Sequence, residues 1–588
     1  MERTNEQKVI LETKLNTINL MVGYSGVGKS STLLYKFVEL PDEVDKYIIV
    51  SNEFRKQILI NLANQMNYPI TNQIITFNEL VFKYVDAMEI RLFQNRMNEE
   101  RKSRLIDDLV FEDLNQKPNI DSETIINEIN FIQSNICLDE AFSLDKILEK
   151  ELQVYQLAPR KNNAKNLLNY SEKQYIWRIY ERFIFKILHL DLFDDLTMHQ
   201  SMLRLLYQQI HHDDVALYMN YLFVDDIEQF SRVQLDFLSL LVNRSEDHYV
   251  LLTNDPLKAR DRYNHYQQSQ LFNLVNNTYH LSINLRNSLE IFNIIKSNIT
   301  NNQLFEVKNP YVEGEKKGEK GVLTFFYNKN EEEKIGVFFD RLDLLTNNQG
   351  YELDDILVVF FDDKNYHKMV EVCYDEQLPF CSIEDRIIHR KPGIVFMKTS
   401  DIISYEAKVV ILYDAENKKL GMGNFNKVHN VNQNYQSSID FYTTISSATE
   451  HLIINTSVSE PTNLLLPTSI DHQLFSYELC SQFSVKTSLN VYRLSEFTQW
   501  IKEQLIEHYH YQEADFYSRA PFDLMVRNHN QIIAIKILDQ NVDESGIGGI
   551  IKQGLKYDYV ITFDRHHYLV FKNVGRNFER VKDFPFKD

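Results

Sequence analysis

A chain of 588 residues is too long for one hydrophobic core and is expected to fold as several domains. With 44% hydrophobic and 25% charged residues the composition is globular, which excludes a disordered or fibrous chain. A formal net charge of −20 excludes a surface that is basic throughout; it counts against a strong free-standing DNA binder and confines any nucleic-acid contact to a local basic groove. Four cysteines (Cys137, Cys373, Cys381, Cys480) lack zinc-like or disulfide-like spacing and read as structural thiols of a reducing compartment. The first residues, MERTNEQKVILE, hold no apolar signal core, and no segment approaches the roughly 18 uninterrupted apolar residues of a membrane span. The expectation is a soluble, cytoplasmic protein with no membrane partner.

In chain order, the apolar run Ile18–Val22 is followed by a Gly-rich loop, a helical pattern over Ser31–Glu39 and a second apolar run, Tyr47–Val50. Strand, loop, helix, strand opens a parallel α/β sheet. From about Ala87 to His199 the pattern is helical: Ile125, Ile129, Ile132 and Ile136 fall at helix spacing, and Ser171 with Gln174 reads as a capping box ahead of Ile176, Ile179, Phe183 and Ile187. β-Branched runs return at Tyr221–Val224, Tyr249–Leu252, Ile356–Phe361 and Val409–Leu412. The stretch Val312–Gly321 reads as a linker or exposed turn. Short alternating strands are expected around Phe522–Arg527, Gln531–Leu538 and Tyr557–Phe563.

Gly23-Tyr24-Ser25-Gly26-Val27-Gly28-Lys29-Ser30 fits G-x-x-x-x-G-K-[ST] in full, between an expected strand and an expected helix. In such a P-loop the glycines (Gly23, Gly26, Gly28) let backbone N–H groups curl around phosphates, and the helix N-terminus at Ser30 and Ser31 adds partial positive charge. Lys29 is placed to reach the β- and γ-phosphates of ATP, and the Ser30 hydroxyl to ligate Mg²⁺. Asp225, at the end of the apolar run Tyr221–Val224, is the candidate magnesium-side carboxylate, with Asp226 beside it. Taken alone, Asp225 reads equally as a helix cap.

Taken in order, these pieces resemble the UvrD/Rep-like superfamily 1 DNA helicases over about Thr4 to Thr456. Asn5-Glu6-Gln7 looks like the family's glutamine motif, which implies that Gln7 reads the adenine edge. Ser51-Asn52-Glu53 and Thr76-Phe77-Asn78 sit where the family has its early DNA-contacting motifs. Leu190–Leu196 is similar to L-D-F-x-D-L, and Val224–Gln229 to V-D-E-x-Q-D. Asn284–Ser288 looks like N-Y-R-S, which implies that Arg286 touches the γ-phosphate. Ser404-Tyr405-Glu406 resembles G-L-E, which implies a ribose contact for Glu406. Phe441–Leu452 aligns with F-Y-V-A-x-T-R-A-x-x-x-L.

The resemblance implies an α/β fold with two RecA-like P-loop motor domains. The first would span 1–86 and 200–290, interrupted by a helical insertion at 87–199; the second would span 291–480. The family's large insertion in the second domain is absent, since only residues 381–394 separate Leu378-Pro379-Phe380 from Val395. The departures concern hydrolysis. The catalytic Glu is Asp226, the adenine-stacking Tyr is Leu285, the γ-phosphate-sensing Gln is Leu257, and the second arginine finger is Ser447. An arginine finger is worth ~10³–10⁵ in rate, so the expectation is a slow or partner-dependent motor.

In the tail, 481–588, Phe522-Asp523 followed by Ile533–Lys536 has the spacing of a P-D…(D/E)-x-K nuclease core, and Gln553–Tyr557 weakly resembles Q-x-x-x-Y. The second acid, however, is Ala534, and one carboxylate rarely holds a catalytic Mg²⁺. A small α+β nuclease-like domain without activity is expected; the alternative is a hairpin that carries Asp and Lys by chance. Neither His211-His212 nor His566-His567 has metal spacing, and Tyr263 could stack on a base. Two functions follow. One, as the resemblance implies, is an ATP-dependent translocase or helicase on single-stranded DNA, moving 3′ to 5′, in DNA repair, recombination or phage defence. The other is a regulatory subunit that gates a partner nuclease.

Overall fold

The computed structural model describes residues 3–41, 46–87, 95–113, 118, 120–137, 144–158, 168–210, 218–242, 247–259, 266–301, 310–314, 322–328, 331–401, 405–416, 430–457, 476–478, 492–493, 502, 512, 515–519, 522–528, 531–537, 557–563, 568–574 and 577–581. Tyr263, Ser404, Cys480, Gln553 and the two histidine pairs lie outside them. The fold is α/β with parallel sheets. Two compact units are present: Met1–Glu319 with Leu353–Val410 and Lys418–Thr449, and Lys320–Glu352 with Ile411–Asn417 and Glu450–Asp588.

In the first unit six strands form a sheet in the order Ile74–Thr76, Lys46–Val50, Tyr221–Val224, Tyr249–Asn254, Thr17–Gly23, Asn277–Leu281. Every pairing is parallel. Both faces are covered, so the strands read as near-continuous apolar runs; Ile48, Ile49, Leu222, Phe223, Val250 and Leu251 are fully buried. Parallel strands place all their carboxyl ends along one edge, where ligands of open α/β sheets bind. Gly23, Val50, Val224, Asn254 and Leu281 each end a strand on that edge.

Between these strands lies a block of helices, Glu99–Glu112, Ser122–Asn135, Leu144–Leu157 and Tyr170–His189, with its own core of Ile125, Ile129, Ile132, Tyr155, Trp177, Tyr180 and Phe183. Tyr155 stacks on Trp177 at 5.8 Å. The expected capping box at Ser171 and Gln174 is displaced by two residues. Asn169 is the N-cap: its Oδ1 accepts from the Glu172 N–H at 3.0 Å, and Glu172 Oε2 accepts from the Asn169 N–H at 2.6 Å. Asn and Ser are comparable N-caps, and here Ser171 donates to Asn169 Oδ1 instead of capping, so the helix starts two residues earlier. Likewise Ile136 falls just past its helix, as the C-cap.

The first unit also holds strands Phe380–Ser382, Ile394–Lys398 and Ile356–Phe360, paired in parallel in that order. The helix Ile383–His389 is all that joins the first two. The linker expected at Val312–Gly321 starts with structure instead. Val312–Glu313 pairs with Ile283–Asn284, and a Cβ on Gly314 would lie 2.2 Å from the Asn284 carbonyl oxygen; its remaining residues, 315–321, lie outside the described ones.

In the second unit Ala448–Ser457 pairs in parallel with Val322–Asn328, which pairs with Ser476–Glu478. A six-stranded mixed sheet follows in chain order from Phe516–Arg519 to Asn577–Val581. Its hairpin Phe522–Asn528/Gln531–Ile537 is antiparallel, and Gln531–Ile537 pairs in parallel with Tyr559–Phe563.

Candidate functional site

The loop after Thr17–Gly23 takes the curled form its glycines allow. Gly26 and Gly28 have φ of 84° and 82°, a conformation side chains resist. A Cβ on Gly26 would sit 2.7 Å from Asn284 Nδ2, and one on Gly28 would sit 2.8 Å from Gln7 Nε2. The loop therefore has room for neither. Gly28 caps the helix Lys29–Glu39, whose N-terminal amides carry the partial positive charge that favours anions. Gln7 is buried on the helix Asn5–Leu11, and its Nε2 donates to Thr32 Oγ1 at 3.0 Å.

Lys29 is buried beside the loop. Its ammonium donates to the carbonyls of Gly23 at 2.8 Å and Tyr24 at 3.1 Å, and lies 3.7 Å from Asp255. Ser30 Oγ donates to both oxygens of Asp225, at 3.2 and 3.3 Å. Asp225 is fully buried; its backbone N–H donates to Ile49 O, and Thr253 Oγ1 donates to its Oδ1 at 2.8 Å. The P-loop serine and the strand-end acid, 195 residues apart in sequence, thus meet.

Asp226 follows in a left-handed conformation (φ 55°), with its N–H held by Thr253 Oγ1 at 2.7 Å, and lines the cleft. Burial pushes its carboxyl up, but Arg55, Lys258, Lys29 and Arg286 outweigh burial and hold it below the usual carboxylate range. Burial raises Asp225, offset only in part by Arg55. Glu228 is raised well above its ordinary value by burial and by Asp226 and Asp255. Burial lowers the Lys258 ammonium to about 8, against the pull of Asp255 and Asp226.

The loop Asn284–Ser288 docks on the P-loop: Leu285 N–H donates to Gly26 O at 2.8 Å, and Asn284 Oδ1 accepts from the N–H groups of Arg286 and Asn287. Arg286 forms an ion pair with Glu406. Together these elements bound a cavity of about 890 Å³ lined by Gln7, Gly26, Gly28, Lys29, Ser30, Ser31, Asp226, Leu285, Arg286 and Glu406 among others. Of the candidate residues read from the sequence, Gly23 and Asp225 lie behind its wall. Seven cationic side chains line it (Arg3, Lys29, Arg55, Lys258, Arg286, Arg386, Arg390) against two carboxylates, Asp226 and Glu406. In a chain of net charge −20 this is a pronounced local reversal, suited to a polyanion the size of a nucleoside triphosphate.

Two tyrosines also belong to this neighbourhood, one from the Phe441–Leu452 stretch and one that carries no motif. Tyr442 is buried with its hydroxyl accepting from Ser25 N–H at 2.8 Å and donating to Asp255 Oδ2 at 3.1 Å. Tyr35, under the Arg3 guanidinium at 4.3 Å, lines the cavity that Leu285 also lines. Conversely, Ser447 is buried, its hydroxyl donating to Thr443 O at 2.9 Å, and does not line the cavity. Of the residues expected to contact DNA, Asn52 and Glu53 are exposed, whereas Phe77 is buried and Asn78 bonds Asp195 at 3.0 Å and His199 at 2.6 Å.

The oxygens of Ser30 and Asp225 suit Mg²⁺ in kind, since hard cations take oxygen ligands. The Arg55 guanidinium, however, already lies on both, at 2.8 Å from Ser30 Oγ and 2.6 Å from Asp225 Oδ2. Among the described residues no group of three or more His, Cys, Asp or Glu side chains could hold a metal, and no helix is long and apolar enough to cross a membrane. No family model and no curated protein matches the chain.

Proposed function

We propose that the chain binds ATP at the Gly23–Ser31 loop and is a slow DNA-dependent motor of the UvrD/Rep-like kind, built on two RecA-like domains. The observation that carries this reading is the meeting of Ser30 with Asp225 at the carboxyl edge of a parallel sheet, beside a cavity lined by Lys29 and Ser30 in which cationic side chains outnumber acidic ones by five. Lys29 and the loop amides would hold the phosphates, Gln7 and Leu285 flank the base, and Asp226 orients the attacking water. Held anionic by its four cationic neighbours, Asp226 is suited to orient that water by accepting a hydrogen bond from it, while the same neighbours make it a weak base, in keeping with slow turnover.

One observation favours a second reading, a regulatory subunit that binds ATP and gates a partner nuclease. Ser447 stands where the resemblance puts an arginine finger and its side chain is turned into the helix, so closure cannot bring a charge from there. The tail supports the same direction. Ala534, at the place of the second nuclease acid, is fully buried between Met525 and Val560 on neighbouring strands.

ATP turnover by the purified chain, with and without single-stranded DNA, tests the motor. Stimulation by DNA that Lys29→Ala abolishes supports it. ATP binding without any turnover leaves the regulatory reading, and turnover at about 1–100 s⁻¹ without a partner contradicts the slow motor.

A further inference from the structure

Arg55 belongs to no motif, yet its side chain touches Ser30, Asp225 and Asp226 at once. It stands in the first turn of the helix Glu53–Gln65, where its backbone N–H donates at 3.0 Å to Oδ1 of the N-cap, Asn52. That cap fixes the start of the helix and aims the side chain back across the edge of the sheet. Its Nε donates to Asp225 Oδ2 at 3.1 Å; its Nη2 reaches Asp225 Oδ2 at 2.6 Å, Ser30 Oγ at 2.8 Å and Asp226 Oδ2 at 3.0 Å. These are the oxygens a divalent ion would take beside a triphosphate. A guanidinium is always charged and presents its donors in a rigid fork. It can offset two adjacent carboxylates and still turn N–H groups toward an incoming phosphate.

We infer that Arg55 is a tethered counter-cation occupying the metal side of the site, so that a nucleoside triphosphate binds here without a divalent ion. This rests on the nucleotide-binding reading above. Ser30 and Asp225 then serve chiefly to hold Arg55, Asp226 touches it through one oxygen, and the phosphates meet the guanidinium and Lys29. Slow turnover follows, since a guanidinium neutralises phosphate charge but does not supply the Lewis-acid polarisation of phosphoryl oxygens that a metal would.

The test is the affinity of a fluorescent ATP analogue for the full chain, in Mg²⁺ and in EDTA, for wild type and Arg55→Gln. Wild-type affinity should change by less than about threefold between the two buffers, whereas Arg55→Gln should lose at least ~10-fold in EDTA and recover most of it in Mg²⁺. A wild type that binds ~10-fold more weakly in EDTA overturns the inference, because Arg55 must then give way to the metal. A second measurement, Mn²⁺ binding to the nucleotide-free chain by electron paramagnetic resonance, stands apart from nucleotide affinity. Wild type should bind no Mn²⁺ at this site while Arg55→Gln does; Mn²⁺ bound by wild type and lost in Asp225→Ala overturns the inference. If wild type binds no nucleotide in either buffer, the proposed function fails, and the Mn²⁺ result alone decides the role of Arg55.

Discussion

The cavity of the first unit and the hairpin of the second show opposite uses of the end of a β-strand. Around the cavity, Lys29, Asp225, Asp226, Glu228, Asp255 and Lys258 are all nearly or fully buried. Each buried ion costs several kcal/mol in lost hydration, which pairing recovers only in part. Three of these acids have their carboxyl held away from its ordinary value: Asp225 and Glu228 upward, Asp226 downward. In the hairpin the residues described as buried are apolar, among them Phe522, Leu524, Met525, Ala534 and Ile535, and its charged residues are Asp523, Arg527 and Lys536. The contrast separates a region where charge is concentrated at a cost to stability from one arranged only to pack. A large perturbation is therefore expected from any charge removed in the first region, and almost none from the second.

Removing the acid at the centre should do most. Asp225→Ala leaves Arg55 without its closest partner and should cost about 3 kcal/mol of stability, the low end for breaking a buried pair because Asp226 remains. Adding Arg55→Ala should recover part of that loss. Urea unfolding of the two single variants and the double variant measures the coupling, and strictly additive losses would show that the pair is not a unit.

The next effect is on pH. The Lys258 ammonium is lowered to about 8 in the folded chain, mainly by burial, against an ordinary value of 10.5. Between these values the unfolded chain binds the extra proton, so stability rises with pH from about 8 to 10.5 and is flat in this contribution below 8. Binding runs the other way, since a neutral Lys258 no longer attracts phosphate. ATP affinity should weaken as pH rises through 8, and Lys258→Met should remove that dependence. An unchanged pH profile in Lys258→Met would place the effect elsewhere.

The smallest effect is expected in the hairpin. Lys536→Ala should leave ATP affinity unchanged, and the wild-type chain should show no Mg²⁺-dependent cleavage of DNA. Cleavage lost in Lys536→Ala would give the second region a chemistry its buried Ala534 argues against.

The same contrast governs what could be read from the sequence. The Gly23–Ser30 loop was legible because its spacing is local, eight consecutive residues. The parallel order of the strands followed from apolar runs separated by helical patterns, and the Asp225 side of the site from its place at a strand end. Arg55 was not legible, since it carries no motif and its contact with Asp225 spans 170 positions; Tyr442 stood in the Phe441–Leu452 motif, but its contact with Ser25, 417 positions away, was not legible. Lys258 was hidden behind attention to Leu257, the neighbour that aligns with a sensor. At Asn169 and Ser171 two good capping residues stand two apart, and only the reciprocal bond to Glu172 decides between them.

The central claim, that the Gly23–Ser31 loop holds a nucleoside triphosphate, is tested most directly by calorimetric titration of ATP into wild type and Lys29→Ala. The account predicts saturable one-to-one binding by wild type and a loss of at least ~100-fold in the variant, with the circular dichroism of the two chains superimposable. Equal affinity in both, or no binding by the wild type, would contradict it.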